Sequence, residues 1–191
     1  MNIKALLLAG LLSTGLALPA QAASYDIDKK GAHAFIQFKV KHLGYSWLLG
    51  RFNTFDGNFQ YDEKNPNASS IKVNIDTASV DSNHAMRDKH LRSKDFLDVG
   101  EYPKSSFVSS SFHEDGKDFI LKGKFTLHGV SKDIVIKGQH IGAGQDPWGG
   151  YRRGFEGHTT IKLNDYNILK DLGPASQEAE LYFSIEGIRQ K

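Results

Sequence analysis

The sequence predicts an all-β chain, eight antiparallel strands closed into an up-and-down barrel, with a helical insertion between the third and fourth strands. Three observations predict it. Eight runs place apolar residues at every second position, the period of a strand with one buried and one wet face. Most connections between the runs are short and carry turn dipeptides such as Asp115-Gly116 and His128-Gly129. One connection, from Asp81 to Pro103, is far longer than a hairpin needs and lacks the alternation.

The chain opens with a segment that reads as export machinery rather than structure. Lys4 supplies a basic start, Ala5 to Leu18 is apolar, and Ala20-Gln21-Ala22 is an A-x-A cleavage pattern. Residues 1–22 are therefore expected to be a cleaved secretory signal peptide, and residues 23–191 a single domain of 169 residues, residing in the periplasm. A domain of this size can bury a core without covalent staples, which suits the absence of cysteine. Removing Lys4 from the 24 basic residues leaves 23 against 22 acidic ones. That near balance gives no electrostatic reason to expect nucleic acid as a partner.

The first run alternates Ile36, Phe38 and Val40 with Gln37, Lys39 and Lys41. The second carries Phe55, Gly57, Phe59 and Tyr61, and the third Ile71, Val73 and Ile75. A serine-rich fourth run holds Phe107; the fifth holds Phe119, Leu121, Gly123, Phe125 and Leu127. Ile134, Ile136 and Gly138 make the sixth inward row. Phe155, Gly157, Thr159, Ile161 and Leu163 make the seventh, and Ala179, Leu181, Phe183 and Ile185 the eighth. A barrel of eight strands is about wide enough to be filled by side chains or to hold one small ligand. The inward glycines admit two readings of equal weight, bends that curve the wall or deliberately emptied volume. With an open lumen, Phe38, Val40, Phe55, Phe59, Phe107, Phe125, Phe155 and Phe183 would line an apolar tube, and bulk at Gly123 or Gly157 would block it.

Two loops are unusually apolar. The stretch from His42 to Gly50, read as the connection between the first two strands, carries Leu43, Tyr45, Trp47, Leu48 and Leu49. Each side chain of this size is worth roughly 1.5–3 kcal/mol when buried. Tyr45 and Trp47 are therefore expected to cover the barrel, line its mouth, meet another subunit or touch a membrane. Asp146-Pro147-Trp148-Gly149-Gly150 reads as a tight turn with Trp148 folded back. The long insertion has helix signals. Asp81, Ser82 and Asn83 offer capping oxygens, and a helix would put His84, Arg87, Asp88 and Leu91 on one face with Asp88 reaching Arg92. Ser93 reads as a second cap, opening a turn that buries Phe96 and Leu97. The insertion is expected to form a lid or wall, His84, Arg87 and Leu91 touching a ligand.

Strand parity adds His42, His140 and Arg153 to the inward rows. No H-E-x-x-H, no G-x-S-x-G and no phosphate-cradling loop occurs, and thiol chemistry is excluded. His84 and His90 stand about 240° apart around a helix, the wrong spacing for a shared metal. Neither catalytic nor metal-binding residues are expected.

The run His84-x-x-Arg87-Asp88-x-His90-Leu91-Arg92-Ser93-x-Asp95-Phe96, followed by Tyr102-Pro103, resembles the signature of the YceI-like family. Phe38-x-x-x-His42-Leu43-Gly44, Tyr102-Pro103-x-x-x-Phe107 and Gly129-Val130-Ser131-Lys132 support the resemblance. It implies an extended lipocalin-like barrel that encloses a polyprenyl lipid, an isoprenoid quinone or a fatty-acyl amide, without catalysis, in proteins several of which are homodimers. The expectation is thus an exported carrier or store for a long-chain isoprenoid lipid. No catalytic cofactor and at most transient membrane contact are expected. Two head groups are weighed, and the near-neutral charge and inward histidines favour the first: a neutral quinone-like head bonded by His42, His84 or a tyrosine, against a polyprenyl phosphate held by Arg87 and Arg153. The competing classes are an enzyme acting on such a lipid, or a metal-assisted hydrolase using His84, Asp88 and His90, and a purely structural or stress protein with a filled barrel.

Overall fold

The alternation becomes a wall with two faces. In the computed structural model, which describes residues 22–191, Phe119, Leu121, Phe125 and Leu127 are buried while Lys122 and Lys124 face solvent. The expected signal peptide lies, apart from Ala22, outside the described residues. The strands are β1 Ala23–Ile27, β2 Phe35–His42, β3 Ser46–Phe52, β4 Phe55–Tyr61, β5 Ser70–Asp76, β6 Val80–Asp81, β7 Lys104–Asp115, β8 Asp118–Leu127, β9 Val130–Gln145, β10 Tyr151–Lys162 and β11 Glu178–Arg189. The α-helix α1, Ala85–Leu91, lies between β6 and β7.

Eight of these strands form a closed antiparallel ring in the order β1-β4-β5-β7-β8-β9-β10-β11, with β1 pairing to both β4 and β11. The number agrees with the alternation, but the membership does not. The ring's first strand is β1, a five-residue segment whose inward pair, Tyr25 and Ile27, is too short a pattern to stand out. The run at Ile36, read as the first barrel strand, is β2, which continues the wall beyond β1. Residues 179–184 of β11 pair with β2 and residues 187–189 pair with β1, so the two lie end to end along one neighbour. β3 and β6 follow β2 and lengthen the barrel at that end.

The apolar stretch after His42 is not a loop. The chain reverses at Leu43 and Gly44, both at positive φ, and returns as β3. Gly123 and Gly138 are close approaches rather than emptied volume, whereas Gly157 borders the cavity inside the ring. Phe107 lies across Gly123, Phe119 across Gly138, Phe38 across Gly50 and Phe59 across Gly187, so that a Cβ at any of these glycines would collide with a ring. Each glycine lets an aromatic side chain lie flat on a neighbouring strand. A β-bulge between Ser109 and Ser111 then shifts β7 by one residue, which turns Phe112 inward although simple parity would put it outside.

Candidate binding cavity

Inside the ring lies a cavity walled by Phe59 and Tyr61 of β4, Ile71, Val73 and Ile75 of β5, and Phe107 and Phe112 of β7. Phe119, Leu121 and Phe125 of β8, Ile134 and Ile136 of β9, Phe155 of β10, Phe183 and Ile185 of β11, and Ile36 of β2 complete the apolar wall. The cavity measures about 90 Å³. It is a narrow apolar slot. Its wall exposes almost no polar atom. An apolar cavity of this kind stays dry, and its lining atoms lack partners on one side until a hydrocarbon enters.

One end of the slot is closed by a polar cluster. Phe155 stacks on His140 with centroids 4.9 Å apart, and Arg153, buried, lies over Tyr61 at 3.9 Å. Arg153 bonds Glu63 across the barrel at 2.5 Å and donates from Nη1 to His140 Nε2 at 3.0 Å. The Tyr61 hydroxyl donates to both Glu114 oxygens at 3.0 and 3.1 Å. Burial, reinforced by that bond, pushes the Tyr61 phenol up to about 12. Burial, with the Arg153 charge second, lowers the His140 imidazole below its ordinary range, which keeps Nε2 free to accept.

The YceI-like domain profile matches residues 25–187, which is every strand of the ring. The chain belongs to the YceI-like family. It is 60% identical over 171 residues to a UPF0312 protein of Pseudomonas paraeruginosa, covering 90% of each chain. Among solved structures it is similar to the Campylobacter jejuni YceI protein, with a TM-score of 0.71 and 27% identity, over 80% of this chain and 91% of that one. A polyisoprenoid-binding domain from Saccharophagus degradans, implicated in plant cell wall breakdown, shares the fold with a TM-score of 0.65 and 16% identity, over 88% and 99% of the two chains.

In this YceI-like chain the sequence-predicted site residues divide. Phe59, Phe107, Phe125, Phe155 and Phe183 line the slot. Phe38, Val40 and Phe55 face inward but pack against the core outside it; Phe38 sits against Gly50 and Phe52 in the wall extension. His42 is exposed at the end of β2. Tyr45 is 86% exposed and Trp47 is 42% exposed on the outer face of the hairpin, with Lys39 Nζ 4.4 Å from the Trp47 ring, so neither covers the barrel. Trp148 is likewise exposed rather than folded back, its loop held instead by Asp146 Oδ1 accepting from the Trp148 and Gly150 amides. Arg153 stands at the closed end, its Nη1 bonded to His140 and its Nη2 to Glu63, while its Nε has no partner.

The insertion is a strut, not a lid over this slot. None of α1 lines it. His84 itself is the helix N-cap, Nδ1 accepting from the Arg87 amide at 3.2 Å, in place of the three oxygens before it. Asp88 does not reach for Arg92. Its buried carboxylate accepts from the Ser82 amide and hydroxyl, while Arg87 donates to Ser82 Oγ and the Ser82 carbonyl. Arg92 donates to the Ala78 and Val80 carbonyls. Leu91 packs against the core, and Phe96 and Leu97 are buried. His90 bonds Asp95 at 2.9 Å, so His84, Asp88 and His90 are each committed to different partners and do not converge.

The cavity residues that sequence reasoning missed are instructive. Tyr61 and Ile36 were on inward rows but carried no distinguishing signal, and Phe112 was hidden by the bulge. Ser69, between the second and third runs, stands on no inward row and carries no signal in the sequence.

Proposed function

We propose that this chain binds one long-chain isoprenoid lipid within its barrel and carries or stores it, as a binding protein rather than an enzyme, with the lipid as its only cofactor-like guest. The observation that carries the reading is the dry slot between Phe59, Phe107, Phe125, Phe155 and Phe183, unfilled by the protein's own side chains. Each methylene transferred from water contributes roughly 0.8 kcal/mol, so a chain of several isoprene units gains affinity without a single polar contact. A hydrolase reading would need acid–base groups beside the guest, whereas the ionisable groups at the closed end are paired with one another. The polyisoprenoid-binding description of the Saccharophagus degradans domain supports the lipid class.

The export pattern at Ala20-Gln21-Ala22 supports a periplasmic setting, where such a lipid has no soluble state of its own. The hairpin of β2 and β3 supports a transient membrane contact for loading. It leaves Leu43, Tyr45, Trp47 and Leu49 in water, with Lys39 and Lys41 over the Trp47 ring, an interfacial pairing of aromatic and basic groups. A homodimer built on the same surface would appear as a doubled mass in solution. The function itself is tested by extracting protein purified from its exporting host with organic solvent and analysing the extract by mass spectrometry. A co-purifying isoprenoid is expected. An extract free of lipid, together with failure of the delipidated protein to take up an added polyprenyl chain, would overturn the proposal.

A further inference from the structure

The ladder between β5 and β7 stops early. The two strands pair from Lys72 with Val108 to Asp76 with Lys104, and beyond that point the bulge carries β7 out of register. What holds the remainder is side chain to backbone. The Ile71 amide donates to Ser109 Oγ at 2.9 Å, and the Glu114 amide donates to Asn67 Oδ1 at 3.2 Å. A short 3₁₀ turn, Pro66–Ala68, sits over this seam, and Ser69, Ser70 and Ile71 immediately after it line the cavity. The slot therefore reaches the barrel wall where the backbone ladder between β5 and β7 has ended.

A second observation falls at the same place. Among the described residues, three buried side-chain polar atoms have no hydrogen-bond partner: Ser69 Oγ, Arg153 Nε and Tyr166 Oη. Of the three residues only Ser69 borders the cavity, its hydroxyl covered and not open to the space. A buried hydroxyl without a partner is costly in a folded chain and marks a group whose partner arrives from outside. The charge around it narrows what that partner is. None of the described residues lining the slot is Lys, Arg or His, and the one carboxylate among them, Glu156, accepts from the exposed Tyr182 hydroxyl at 2.9 Å. A phosphate entering here would be buried without a counter-charge, whereas an alcohol or carbonyl oxygen needs only one hydroxyl.

We propose that the Ser69 hydroxyl anchors the oxygen-bearing end of the lipid, an uncharged alcohol or carbonyl head, at the seam between β5 and β7. The proposal rests on the reading of the barrel as a lipid site. It differs from a head group at the Arg153 cluster, where both Nη atoms of Arg153 and the Tyr61 hydroxyl already have protein partners and Arg153 does not line the slot. The isoprenoid tail then runs from the seam into the aromatic slot, and its head is the last part to enter.

The test compares two probes with the same isoprenoid skeleton, geranylgeraniol and the corresponding hydrocarbon, by competition against a fluorescent apolar probe on the delipidated protein. Ser69→Ala is expected to bind the alcohol roughly fivefold more weakly than the unmodified protein, the worth of one hydrogen bond, and to bind the hydrocarbon as well as before. Because the hydroxyl has no partner in the protein, the variant's melting temperature is expected to be unchanged, which separates the effect from misfolding. Equal loss for both probes, or no loss for the alcohol, overturns the anchor while leaving the lipid reading intact. Tighter binding of geranylgeranyl phosphate than of the alcohol overturns the uncharged head. Failure of the unmodified protein to bind either probe overturns the lipid reading and the anchor with it.

Discussion

Arg152 gathers three carboxylates from distant parts of the chain. Its Nη1 lies 2.7 Å from Asp28 and 2.5 Å from Glu186, and its Nε lies 2.7 Å from Asp146. Asp28, His33 and Glu186 bring ligand-type atoms within 4.8 Å of one another, as a metal would require, but a guanidinium already supplies the positive charge. Bonds from the Gly31 amide, Arg152 and His33 outweigh the burial penalty and hold Asp28 at about 2. Removing the cation strands a buried carboxylate, so Arg152→Ala is expected to lose about 3 kcal/mol in denaturant unfolding. The His140 imidazole makes a different prediction. Its folded pKa lies below the unfolded one, so the folded chain takes up fewer protons, and stability present above the ordinary histidine range is lost as pH falls through it. Around it stand Arg153, Glu63 and Glu114, and of these only Arg153 deepens the shift. The melting temperature is expected to drop between about pH 7 and 5, around the free-histidine pKa. That drop should flatten in His140→Gln, whose amide oxygen still accepts from Arg153. Parity made both His140 and Arg153 legible as inward residues. Their partnership was not legible, because Glu63 comes from another strand end and only the closed barrel brings it near.

At the level of elements, the glycine and aromatic pairs explain how a wall this rich in phenylalanine curves without leaving gaps. Gly138 stands directly opposite Phe119 in the ladder, and a Cβ there would meet both the ring and the Glu156 carbonyl. Gly138→Ala is therefore expected to cost about 1–3 kcal/mol, the scale of overpacking, in thermal unfolding. The alternation announced these glycines but could not say whether space or a neighbour filled them, since the answer lies in a contact between strands. The same limit hid β1 and β3. β1 is too short to show a period, and β3 exposes Trp47 and Leu49 on its outward row, so its sequence does not alternate apolar with polar. In the insertion the helix was legible and its role was not. The position of the N-cap and the turn of Asp88 back to Ser82 depend on β6 being anchored first, through Arg51 with Asp81 and Phe52 with Val80.

For the whole molecule the deciding feature is an interior that the chain closes but does not fill. A core assembled for stability alone would place larger side chains where the slot runs, since unfilled apolar volume costs stability in proportion to its size. Ile134, partly buried on β9, borders the slot, and Ile134→Phe would put a ring into space that a guest needs. Because that space is empty in the protein, the fold should accept the ring at little cost, with a melting temperature at or above that of the unmodified chain. Phe38→Ala supplies the contrast. Phe38 packs against Gly50 and Phe52 outside the slot, so its loss should cost about 3 kcal/mol while leaving the guest untouched. Lipid per mole of protein, measured by mass spectrometry beside the melting curve, should therefore fall in the more stable variant and persist in the less stable one. Lipid content that instead followed stability in both would mean that the guest is held by the fold at large rather than by the slot.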